Sequence, residues 1–147
     1  MTDWGSDFKA LARSLKADED QVIRATILNL TKAITEANPV GNPSLWKNKP
    51  PAGYVGGQSK GNWFPSISVA SNEVDLTIKG EGADETSNQR VFNMLDQAKG
   101  NKFFVTNNLP YIRRLEYGWS TQAPEGMVRP AVQRVPQIIK KAIKALT

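Results

Sequence analysis

Residues 62–80 read NWFPSISVASNEVDLTIKG, and their reading decides how much sheet the chain holds. In the first half Trp63, Ile67 and Val69 fit a strand. Pro65 places that strand at an edge or marks a bulge, because proline cannot donate to a ladder. In the second half Val74, Leu76 and Ile78 alternate with polar residues, the period of a half-buried strand. The SNE step at 71–73 reads as a turn, so the two halves are predicted to form an antiparallel hairpin.

Downstream, EGADETS at 81–87 reads as a polar loop. SNQRVFNMLDQAKG, 87–100, is predicted to be a helix with Ser87 as its cap. Val91, Met94, Leu95 and Ala98 form its inner face, and Gly100 is its C-terminal stop. KFFVTNN, 102–108, reads as a third strand. LPYIRRLEYG, 109–118, fits a short helix or a continuation of the sheet; Pro110 and the spacing of Tyr111, Leu115 and Gly118 favour the helical turn. After the loop GWSTQAPEG, a basic C-terminal helix is predicted over 128–146. Pro130 suits its first position. Val128, Val132, Val135, Ile139, Ala142 and Leu146 repeat at helical spacing, and Pro136 should kink or break it.

Upstream, Phe8, Leu11, Ala12 and Leu15 outline a short amphipathic helix over 5–16, with Ser6 as a cap. A stronger helix is predicted over 19–37. Asp18 caps it, Gln21 follows three residues on, and Ile23, Ile27, Leu30, Ile34 and Ala37 form one stripe. Pro39 ends it. The expected fold is α+β: one domain over 1–147, with a small antiparallel sheet of three to four strands packed by N-terminal, middle and C-terminal helices. Between helix and sheet lies NPVGNPSLWKNKPPAGYVGGQSKGNW, 38–63. It has neither helical nor strand period and is read as an extended loop or arm over 38–62. An arm of that length inside a compact domain is uncommon unless it is functional or disordered.

Composition narrows the chemistry. With 147 residues, 39% hydrophobic and 22% charged, the chain is ordinary globular material. No apolar run approaches the roughly 18 residues of a membrane helix, and the first residues lack the apolar core of a signal peptide. Cysteine and histidine are both absent. Disulfides, Cys/His zinc sites, cysteine nucleophiles and Ser-His-Asp triads are therefore excluded; an enzyme would have to work with Asp, Glu, Lys, Tyr or Ser, which does not forbid catalysis but makes it less expected, and no cofactor is expected. GYVGGQ at 53–58 lacks the GK[ST] ending and the strand–helix frame of a phosphate loop. No carboxylate pair has glycosidase spacing. Glu116, beside Arg113 and Arg114, reads as a structural ion-pair partner, accepting from those arginines or from loop N–H groups. Gly118 follows it at a turn where a side chain would clash. Trp63 and Tyr111 are expected to pack between sheet and helices. Trp46, Tyr54, Trp63 and Trp119 read as anchors into the core or a partner rather than as a base-stacking platform, because few bases are interleaved with them.

The net charge of +5 is unevenly placed: all fourteen acids precede residue 127. After it come Arg129, Arg134, Lys140, Lys141 and Lys144. The plain reading is a solvated helix face whose cations favour the negative end of the helix dipole. The sharper one is contact with nucleic acid or an acidic partner.

Two stretches carry a family likeness. The first holds Pro39-Val40, Gly57, Lys60 and Trp63. The second holds Asn107, Tyr111, Glu116-Tyr117-Gly118, Ser120-Thr121-Gln122-Ala123-Pro124 and Pro130-Ala131. In this order, across 20–145, they resemble the tail completion family of long-tailed bacteriophages, also described as neck, head–tail joining or minor tail proteins. Many relatives have a short turn where this chain has its longer arm, and Gln58 stands at the first of two basic positions. The resemblance implies a structural virion protein without a catalytic site, made in the host cytoplasm. It implies a ring, a hexamer, around the passage for genomic DNA, between the head connector or adaptor and the tail terminator or tail tube. On that reading Leu45, Trp46, Tyr54 and Lys60 of the arm touch a partner. Trp63, Tyr111, Glu116, Gly118, Pro124 and Pro130 maintain the structural motif. Lys140, Lys141 and Lys144 face the DNA channel or an acidic partner. The alternatives are a small basic nucleic-acid-binding protein, which would bind by a salt-dependent, sequence-independent attraction, and the related tail terminator role.

Overall fold

A computed structural model describes residues 18–39, 56–118, 120 and 122–146. The predicted helix over 5–16 and the arm residues Leu45, Trp46 and Tyr54 lie outside them. The described elements are α1 (Glu19–Ala37), β1 (Phe64–Ile67), α2 (Ala83–Met94) continued by a 3-10 turn (Leu95–Gln97), β2 (Phe103–Thr106), α3 (Ile112–Glu116), α4 (Val128–Gln133) and α5 (Val135–Leu146). The fold is α+β. Its sheet has two antiparallel strands rather than three or four.

Helix α1 has the predicted bounds. Asp18 caps it, its carboxylate accepting from the N–H groups of Asp20 and Gln21 at 2.9 and 3.3 Å, and the chain leaves helical geometry at Asn38, just before Pro39. The expected single stripe is too narrow. Ala37 is exposed, whereas Val22, Thr31 and Thr35 are buried. The reason is tertiary: α1 packs against α5 on one side and α2 on another. Val22 meets Val135, Ile139, Ala142 and Ile143. Ala33 and Ile34 meet Trp63, Met127 and Ala131.

The predicted hairpin does not form. β1 pairs instead with β2, with Phe64 opposite Thr106 and Ile67 opposite Phe103. Ser68 donates to the Lys102 carbonyl at 2.8 Å in the same register. Ladder bonds therefore fall on the even-numbered residues of β1, and Pro65 occupies a position where no N–H is needed. The alternating stretch 74–78 is irregular because side chains take its backbone bonds. Asn62 accepts from the Asp75 N–H at 2.8 Å and donates to the Asp75 carbonyl at 2.9 Å. Asn108 donates to the carbonyls of Ser71 and Glu73 at 2.8 and 3.2 Å. The Asp75 carboxylate accepts from the Thr77 N–H at 2.9 Å and from its hydroxyl. A stretch pinned in this way has no free edge to offer β1.

The middle helix starts earlier than predicted, within the supposed polar loop 81–87. Ser87 is not its cap but a buried interior residue. Its hydroxyl donates to the Lys60 carbonyl at 2.6 Å and accepts from the Trp63 N–H at 3.2 Å. One turn on, the Arg90 guanidinium donates to the carbonyls of Gly61 and Trp63 at 2.7 and 3.2 Å and lies 4.0 Å from the centre of the Phe64 ring. Residues 56–62, assigned to the arm by sequence, are thus part of the folded frame. The C-terminal segment is two helices. The interruption falls at Arg134, just ahead of Pro136, which becomes the second residue of α5. Pro130 is the third residue of α4 rather than the first, still within the turn whose N–H groups lack helical acceptors. Among the described residues no helix is long and apolar enough to cross a membrane.

Replacing Asn62 by Ala removes both bonds to Asp75 and a third to the Gln58 carbonyl at 2.7 Å. Urea denaturation should show a loss of about 1–3 kcal/mol. Hydrogen exchange at the Asp75 amide should accelerate beyond what that global loss explains.

Candidate functional site

The two motif stretches meet through a network of side chains at the end of α1. Asn38 is buried there. Its amide N–H groups donate to the Ser59 hydroxyl at 2.6 Å and the Pro39 carbonyl at 3.0 Å, and its oxygen accepts from the Trp63 indole N–H at 2.9 Å. The Ser59 hydroxyl donates to the Pro39 carbonyl at 3.3 Å. From the second stretch, the Asn107 amide donates to the Ser59 carbonyl at 2.9 Å. The Tyr111 hydroxyl donates to the Gln58 side-chain oxygen at 2.8 Å. The chain thus leaves the described frame at Pro39 and re-enters it at Gly56 with the two ends bonded to each other.

Glu116 builds a second centre. Helix α4 has no cap of its own, and the Glu116 carboxylate replaces it from outside. One oxygen accepts from the N–H groups of Met127 and Val128, each at 2.8 Å. The other accepts from the Arg129 N–H at 3.1 Å and its Nε at 3.0 Å. Arg129 also donates to the Glu116 carbonyl, and its guanidinium lies 4.9 Å from the centre of the exposed Tyr117 ring. Backbone N–H groups do bond the carboxylate, but they are those that open α4 rather than a loop's, and the ion-pair partner is Arg129, not Arg113 or Arg114. Partial burial raises the carboxyl pKa, but the N–H groups of Val128, Met127 and Arg129 and the Arg129 side chain outweigh it, and the net shift is downward. With both oxygens doubly engaged, the carboxylate has no acceptor site left for a substrate proton.

Two glycines let the chain close around it. Gly118 has φ +88°, and a Cβ there would lie 2.4 Å from the Pro124 carbonyl oxygen. Gly126 has φ +87°, and a Cβ there would lie 2.7 Å from the Glu116 carboxylate itself. Only glycine combines this backbone geometry with that approach.

The remaining candidate residues are distributed around these centres. Trp63 is buried in the cluster with Ala33, Ile34, Met127 and Ala131, while Tyr111 is half-buried. Lys60 is half-buried in the frame, held through its carbonyl. Pro124 is exposed, and Lys140, Lys141 and Lys144 are exposed on α5. Sequence reasoning missed Asn38, Asn62, Arg90 and Gly126, and gave Ser87 and Arg129 other roles. Their available signal was weak: Asn38 and Asn62 each stand next to a residue whose placement is strongly constrained, a proline and a tryptophan. Among the described residues no group of carboxylates could hold a metal ion. No protein-family model, curated protein or solved structure matches the chain.

Because the folded-state pKa of Glu116 lies below its ordinary value of 4.5, its contribution is fully present above that value and is lost as pH falls through the lowered one. The stability gap between wild type and Glu116→Gln should therefore narrow as urea melts are moved from about pH 6 to about pH 2.5. Gly118→Val should lower stability by more than about 2 kcal/mol in the same assay at neutral pH.

Proposed function

We propose that this chain is a structural neck protein of a long-tailed bacteriophage, of the tail completion type, which joins the tail to the head connector as a ring, a hexamer, around the DNA passage. The observation that carries this reading is the bonding between the two stretches on which the family likeness rests. Gln58 and Ser59 of the first hold Tyr111 and Asn107 of the second. Within the second, Gly118 lies against the Pro124 carbonyl and Glu116 accepts from the Met127 N–H. Motifs that far apart in sequence have a joint purpose if together they build one frame.

The frame supports the reading in a second way. Its polar groups are spent on each other, which suits a part that must hold its shape rather than turn over a substrate. The arm is attached between Pro39 and the Gly56–Ser59 turn, two points joined by the Asn38 and Ser59 bonds. In the proposed ring Leu45, Trp46 and Tyr54 lie on a neighbouring subunit. The head connector and the tail terminator or tail tube are the remaining partners.

The frame also sets the limits of the test. Gly56, Gly57 and Gln58 belong to it, since the Gly56 and Gly57 carbonyls accept from the Gly80 and Gly61 N–H groups. A deletion should stop short of them. Removing residues 44–54 should leave a subunit with wild-type circular dichroism and a cooperative melt. It should abolish incorporation into particles, measured as headless tails or tailless heads by electron microscopy. Fully infectious virions from this variant would refute the arm's role.

A further inference from the structure

In segment 68–79, between β1 and α2, three apolar side chains face solvent alongside exposed polar ones, while Ile78 packs in against Gly61. Asn62 and Asn108 hold its backbone from beneath. Above, Val69, Val74 and Leu76 are 73%, 42% and 67% exposed. Three exposed branched apolar side chains on a backbone held in place by Asn62 and Asn108 have the form of a contact surface. Acids dominate this stretch of chain: Glu73, Asp75, Glu81, Asp84 and Glu85, against Lys79 and, within α2, Arg90, whose charge acts on Asp75 and Glu73.

The complementary surface is on the same chain. Gln137, Lys140, Lys141 and Lys144 recur at the spacing of one helical face, and all four are exposed on α5. Neither α4 nor α5 contains an acid. Among the described residues none of these lysines makes an ion pair. The two surfaces belong to different parts of the fold, since α5 packs on α1 and α4 whereas the helix following the loop packs on α1 and β1.

We infer that segment 69–85 of one copy, the loop and the first turn of α2, docks through its apolar and acidic side chains on the basic outer face of α5 of a second copy. The lysine stems cover Val69, Val74 and Leu76, while their ammonium groups meet Glu73 and Glu81. Because the two surfaces differ, the contact is head-to-tail and each copy offers one of each, the kind of interface that builds a ring when the rotation between copies closes. This rests on the ring proposed above and gives it an interface distinct from the arm.

The test reverses exposed charges on one side at a time. E73K/E81K and K140E/K141E should each keep the wild-type circular dichroism. Sedimentation velocity should show the dissociation constant of self-association raised at least about tenfold in either variant. An equimolar mixture should assemble again, because the reversed loop of one variant fits the reversed helix of the other and the unreversed pair also fits. Leu76→Asp should weaken assembly of the otherwise unchanged chain. Wild type that assembles while both charge variants assemble equally well overturns this interface and leaves the ring standing. So does loss of assembly in both variants without rescue on mixing. Wild type that remains monomeric up to about millimolar concentration, far above typical affinities, overturns the ring reading and this interface with it.

Discussion

The three hydrogen bonds of the Asn38 side chain join parts of the chain that no regular element connects. A helix has just ended there, leaving carbonyls without partners. The start of the sheet, the turn at 56–62 and the second motif stretch all arrive at the same place. The Asn38 amide donates twice, toward Ser59 and Pro39, and accepts from Trp63. An apolar residue here would leave the indole N–H of Trp63 buried and unpaired, at a cost comparable to a sizeable fraction of a domain's stability. Trp63 in turn packs against Ala33, Ile34, Met127 and Ala131, so the orientation of α1 relative to α4 depends on the same amide.

Asparagine recurs in this role. Asn62 holds Asp75, Asn107 holds Ser59, Asn108 holds Ser71 and Glu73, and Asn88 accepts from Thr35 of α1. A two-stranded sheet is marginal alone. Here much of the ordering of its surroundings comes from side chains that bond backbone directly. That arrangement explains how a chain with so little sheet keeps long irregular segments in place. It also explains why the loop 68–79 is ordered without having a strand to lie against.

The same physics separates what could be read in advance from what could not. The bounds of α1 were legible because its cap and proline stop are local signals, whereas its buried face was read too narrowly because tertiary packing widens it. β2 was legible from its composition. The pairing of β1 was not, because alternation at Val74, Leu76 and Ile78 is a necessary sign of a strand but says nothing of a competing bond from Asn62. The start of α2 was missed because acids and glycine at 81–85 resemble a loop, although acids also favour the first turn of a helix. At the candidate site Glu116, Gly118 and Trp63 were found with their kinds of role. The partner of Glu116 was misassigned because Arg113 and Arg114 are near in sequence, whereas Arg129 is near in space. Fold class was readable; strand count was not.

The bonded ends at Pro39 and Ser59 make the frame nearly indifferent to what is strung between them. The entropy of closing a flexible segment grows only logarithmically with its length, so doubling it costs about 0.6 kcal/mol. Drift in this interval is therefore cheap, whereas a change to Asn38 or Ser59 is not. One scaffold can then acquire a short or a long insert without relearning how to fold. An engineer could use the same junction as a grafting position, replacing 44–54 with a foreign peptide and relying on the asparagine clasp to keep the rest of the molecule in register.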